Sequence, residues 1–148
     1  MKLESWVDLQ DGNGFIQHKI GYWDISTEPE QILVEIIYPT QIRFSYLGKD
    51  YIATFSPGYI TDFGSVPKAV RGGISNTGAI DIIYLLHDGG YGIDWPKMCP
   101  AAAAFTREDI DTLLYLGLKE RGMSDIKADL VYDAVRVAGG GSHWRHLA

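Results

Sequence analysis

The chain has 148 residues, 46% of them hydrophobic and 22% charged, and a net charge of -6. That length suits one domain, 1–148, able to bury a core of its own, and the acidic balance argues against a nucleic-acid binder, which shows a basic footprint. The single cysteine, Cys99, excludes an internal disulfide, no run nears the roughly 18 apolar residues of a membrane helix, and Met1 to Val7 lacks a signal-peptide pattern.

Residues 1–60 read mainly as β and 77–140 mainly as α. Phe15 to Ile20 is a short apolar-rich run, and Ile32 to Tyr38 is rich in β-branched residues. Gln41 to Tyr46 puts Ile42, Phe44 and Tyr46 on one face. Tyr51 to Phe55 does the same with Tyr51, Ala53 and Phe55. The loop Leu47-Gly48-Lys49-Asp50 joins these two runs into a hairpin. Thr61 to Pro67 is the switch from strand to helix, with a short helix expected after Pro67. Ile80, Ile83, Tyr84, His87 and Tyr91 share one helical face. Ile93 to Phe105, with Pro96 and Pro100, is the longest irregular piece, of a length that is often functional or mobile. Thr106 N-caps a second helix with Asp109 three residues on. Its apolar face holds Ile110, Leu113 and Leu114, Gly117 admits a close neighbour, and it ends near Gly122. Ser124 opens a third helix through Ile126, Leu130, Val131, Ala134 and Val135, which stops at the glycines 139–141. Strands first and helices after mean α+β: antiparallel hairpins followed by a bundle of about three helices.

The residues best suited to chemistry are His87-Asp88-Gly89-Gly90-Tyr91. On a helix His87 and Tyr91 share a face, while Asp88 is rotated about 100° away. The histidine suits a general base, and the carboxylate beside it suits a hard cation such as calcium. Gly89 and Gly90 are poor helix formers. Either they admit another backbone or a ligand, or the helix ends at Asp88 and they cap it. If the first two helices run antiparallel, Asp111 reaches His87 and fixes its tautomer. Its bland alternative is an acid that offsets the helix dipole. Thr61, Asp62 and Ser65 form either a capping turn or the rim of the site. Arg136, His143, Arg145 and His146 make a weak basic patch; His143-Trp144-Arg145-His146 reads as a tail of the flexible, polar kind rather than as a metal site, despite two histidines three apart. Cys99 reads as an ordinary thiol.

The ordered motifs Thr61-Asp62-Phe63-x-Ser65-Val66-Pro67, Leu86-His87-Asp88-x-x-Tyr91, Arg107 with Asp111, and Tyr132-x-Ala134-Val135-Arg136 with a following glycine resemble a family known only as a domain of unknown function, DUF1353. The resemblance spans about 40–144 and implies a phage or prophage origin. The chain departs from the family in its long Ile93 to Phe105 loop and in Leu114, where an aromatic residue is frequent. The shorter pattern His-Asp-x-x-Tyr with a later helical aspartate resembles phospholipase A2-type enzymes. That likeness implies His87 as base, Asp111 as its orienting partner, Asp88 as a calcium ligand and Tyr91 as an outer donor. The cysteines and glycine-rich calcium loop of those enzymes are missing, and Gly72-Gly73 is a poor substitute.

Two functions follow as expectations. In the first, His87 oriented by Asp111 activates water against an ester or amide, in a hydrolase with a divalent cation near Asp88. In the second, the chain is a non-catalytic phage tail or assembly protein whose polar residues hold the fold together and whose aromatic residues Trp6, Phe15, Tyr22 and Trp23 meet a virion partner. Either protein would sit in the bacterial host's cytoplasm or in the virion. A cleft reached by solvent, with His87 about 3 Å from Asp111, favours the enzyme, and a sealed His87 bonded only to backbone favours the structural protein.

Overall fold

The computed structural model describes residues 9–10, 16–17, 22–24, 34–37, 39–61, 81–138 and 144–145. Seven strands come first among them: β1 (Leu9–Gln10), β2 (Ile16–Gln17), β3 (Tyr22–Asp24), β4 (Val34–Ile36), β5 (Thr40–Tyr46), β6 (Lys49–Phe55) and β7 (Ile60–Thr61). Four helices follow: α1 (Asp81–Tyr91), α2 (Trp95–Met98), α3 (Arg107–Glu120) and α4 (Asp125–Ala138), with a 3-10 turn at Pro100–Ala102. The α+β arrangement is the expected one. The strands pair antiparallel as β1-β2, β3-β4-β7 and β5-β6. β1, β3 and β7 are additions to the runs read as strands from sequence. Among the described residues no helix is long and apolar enough to cross a membrane. Trp6, Phe15, the turn after Thr61, the short helix after Pro67, Gly72-Gly73, Ile80, the glycines 139–141, His143 and His146 lie outside the described residues.

The β5-β6 hairpin follows from its alternation. Thr40 pairs with Phe55, Ile42 with Ala53 and Phe44 with Tyr51, so one face carries all six. Five of these are buried and Tyr51 is half-buried, its ring stacked on Phe44 at 5.2 Å between centroids. The connection is tighter than the four-residue loop expected. Tyr46 pairs with Lys49, which leaves Leu47 and Gly48 as the turn, at φ 52° and 79°. Two positive φ values are what a two-residue I′ turn demands, and leucine is a poor choice for the first. Leu47 is exposed and loses little packing when replaced. Leu47→Asn should therefore raise stability by about 0.5–1 kcal/mol in urea unfolding.

α1 is buried almost all round. Ile82, Leu85 and Leu86 are as enclosed as Ile83, Tyr84 and His87, so the one-faced helix expected is a central one. α3 begins as read: the Thr106 side chain accepts from the Asp109 N–H, and the Asp109 carboxylate accepts from the Thr106 N–H. Gly122 follows its end at φ 93°. Ser124 Oγ accepts from the Lys127 N–H at the start of α4. The α4 reading holds in part. Ala128, Val131 and Val135 are inside, and Ile126 and Leu130 are exposed. The segment Ile93 to Phe105, expected as irregular, holds α2 and the 3-10 turn. Trp95 is fully buried there and its indole N–H donates to the Ala102 carbonyl at 2.9 Å.

Candidate functional site

α1 and α3 run antiparallel and close together. Ile83 faces Gly117, where an added Cβ would come within 3.0 Å of the isoleucine. One end further on, a Cβ on Gly90 would meet Ile110 at 2.6 Å, and one on Gly89 would meet the Phe55 ring at 2.7 Å. The helix thus continues through both glycines to Tyr91, and side chains of β6 and α3 occupy the space. This close approach sets His87 beside Asp111.

Asp111 is the hub. Its Oδ1 is 2.8 Å from His87 Nε2 and accepts from the Tyr91 hydroxyl at 2.6 Å. Its Oδ2 accepts from Arg136 at 2.8 Å and lies 3.8 Å from Arg107 Nε. Arg107 also donates to the Tyr91 hydroxyl at 3.2 Å and to the Arg136 carbonyl. Burial works against the ionised carboxylate, but the hydrogen bonds from His87, Tyr91 and Arg136 outweigh it, and the group is held below its ordinary value. The Tyr91 phenol moves the other way, raised by burial and by donation to Asp111.

The ionised carboxylate only accepts, so Nε2 carries the hydrogen of the His87 ring. Nδ1 is the ring's other nitrogen, bare whenever the imidazole is neutral. It has no hydrogen-bond partner among the described residues, and the residue is 2% exposed. The Tyr91 ring lies against the imidazole at 4.5 Å between centroids. The 2.8 Å separation meets the distance expected of an enzyme, while the burial is that of a structural core.

The depressed Asp111 value has a consequence for stability. The unfolded carboxyl titrates near 3.8 and the folded one lower, so the ionised group adds stability above pH 3.8. That gain is lost as pH falls through the folded value. Urea midpoints measured down the acid limb should fall more steeply for the parent than for Asp111→Asn, which has no such proton to bind. Parallel curves would contradict the assignment.

Asp88 stands apart. It is half-buried, and its Oδ2 accepts from the Tyr59 hydroxyl at 2.9 Å. Calcium takes six to eight oxygen ligands. Among the described residues no group of three or more His, Cys, Asp or Glu side chains comes together. Thr61 is buried on β7, opposite Val34, and Asp62 and Ser65 lie outside the described residues. Cys99 is buried and its thiol is pushed up to about 11 by that burial, which leaves it a poor nucleophile.

Sequence reading missed several partners. The guanidiniums of Arg107 and Arg136 had only a motif position, although Arg107 is four residues before Asp111 on one helix face. Tyr59 carried no signal. Trp144 and Arg145, read as a flexible polar tail, pack against Tyr91.

A family model described as "Protein of unknown function (DUF1353)" matches residues 40–135. The chain belongs to that family. No curated protein and no solved structure matches it. The matched span opens at the first residue of β5 and includes His87, Tyr91, Arg107 and Asp111. It ends one residue before Arg136, short of the 144 expected.

Proposed function

We propose that the chain is a phage- or prophage-encoded hydrolase in which His87, oriented by Asp111, activates water against an ester or amide carbonyl. One observation carries this reading: a buried imidazole bonded to an ionised aspartate through Nε2, with Nδ1 left unmatched among the described residues. A buried nitrogen left unsatisfied costs about 1–3 kcal/mol, and a proton taken from substrate water would give Nδ1 its partner. The reaction requires the enclosure around His87 to open to water; Nδ1 then takes a proton from that water as the oxygen bonds to the carbonyl carbon. The tetrahedral intermediate then collapses, and the same proton goes to the departing alkoxide or amine. Tyr91, Arg107 and Arg136 keep Asp111 ionised and still. The protein would act in the bacterial host's cytoplasm or from the virion.

A second reading rests on the burial. His87 is enclosed and Asp111 is surrounded by donors from three helices, as in a network that fixes helix packing. Under it the chain is a tail or assembly protein with a virion partner. The parent, His87→Ala and Asp111→Asn would be compared on lipid, peptidoglycan and small ester substrates. A hydrolase predicts a loss of about 10²–10⁴-fold in turnover for His87→Ala. Background turnover by all three proteins, with His87→Ala less stable and yielding defective particles, would establish the structural reading instead.

A further inference from the structure

We propose that Trp144 and Arg145 are positioning residues, a clamp that fixes Tyr91 and through it the Asp111–His87 pair. What the fixed pair does rests on the hydrolase reading; the clamp itself does not.

The contacts converge on the end of α1. The Arg145 backbone N–H donates to the Tyr91 carbonyl at 2.7 Å. Its side chain spreads three nitrogens over three more carbonyls: Gly90 at 3.2 Å, Ala103 at 3.2 Å and Phe105 at 3.3 Å. The last carbonyls of a helix lack partners within it, and a cation there is favourable. One guanidinium therefore ties the last turn of α1 to the segment leading into α3. The fork geometry suits arginine and not lysine. The Trp144 ring meets Tyr91 edge to face at 5.1 Å and 90°, and the guanidinium lies over Trp144 at 4.5 Å.

Arg145 adopts φ 49°, which side-chain-bearing residues hold only where their surroundings over-determine it. Burial disfavours its charge. Tyr91 is consequently held at its carbonyl by Arg145, at its ring by Trp144 and at its hydroxyl by Arg107 and Asp111. That hydroxyl shares Oδ1 with His87 Nε2. A shift of Tyr91 moves the acceptor that selects the tautomer. Both clamp residues lie beyond the span the family model matches.

The test reads the ring directly. In the full-length protein at mildly alkaline pH, nitrogen NMR of the imidazoles would be recorded, with His87 assigned by subtraction against His87→Gln. A fixed tautomer gives one N–H and one bare-nitrogen signal. Arg145→Ala and Trp144→Ala should collapse this split toward an average, and Trp144→Phe should restore it. Val131→Ala, a core truncation between α3 and α4, serves as a control of general destabilisation and should leave it unchanged. Should Arg145→Ala fail to fold, Arg145→Lys and Trp144→Ala carry the comparison. Parental signals in the clamp variants, or an equal change in Val131→Ala, would overturn the proposal. Moving signals in a protein without turnover would remove the hydrolase reading and leave the clamp standing.

Discussion

Asp111→Ala should destabilise the protein by about 2–4 kcal/mol, because it removes an acceptor shared by buried and half-buried donors. The carboxylate is fully buried and serves His87, Tyr91 and Arg136 at 2.8, 2.6 and 2.8 Å. Arg107 and Arg136 reach partly into solvent and regain hydration when Asp111 is lost. The His87 Nε2–H has no such recourse. It joins Nδ1, which has no hydrogen-bond partner among the described residues. Asp111→Asn keeps the shape and an acceptor oxygen, but its amide group confronts either His87 or Arg136 with a donor. It should fall between parent and alanine. Urea unfolding measures all three, and an alanine variant within about 1 kcal/mol of the parent would show that the cluster is not a hub.

Where the fold was legible in sequence, the relevant force was local. Alternation of Ile42, Phe44 and Tyr46 against Tyr51, Ala53 and Phe55 sufficed for the hairpin, and Thr106 with Asp109 for the start of α3. Pro96 and Pro100 read as breakers, yet each occupies the first turn of a short helix, where a missing N–H costs nothing. In α4, Ile126, Leu130, Val131, Ala134 and Val135 read together in sequence, although Ile126 with Leu130 and Val131 with Val135 point different ways round the helix. Only packing against α3 decides between them. At the site, the spacing of His87 and Tyr91 put them on one face, and the antiparallel helix pair was enough to bring Asp111 near. Arg136 and Arg145 were not legible, because a single charge with distant partners looks in sequence like any solvated one. Their acceptors lie 25 to 55 residues away along the chain.

The glycines that make this site can be tested through their neighbours. Gly90→Ala should cost about 0–2 kcal/mol net: overpacking of about 1–3 kcal/mol against Ile110, less the roughly 1 kcal/mol that alanine regains as a helix former. The Ile110 side chain crowds the new methyl with Cδ1, Cγ2 and Cγ1 at 2.6, 2.7 and 3.0 Å, and a β-branched residue on a helix has one favoured rotamer with which to retreat. Ile110→Ala alone leaves a cavity and should cost about 2–5 kcal/mol. In the double variant the Gly90→Ala methyl enters that cavity instead of colliding. The pair should therefore be more stable than the sum of the single losses by about 0.5–3 kcal/mol. Strict additivity would mean that α1 and α3 are not in contact at this point. In that event the 2.8 Å approach of His87 to Asp111, which sits one turn along the same helix pair, would lose its structural cause.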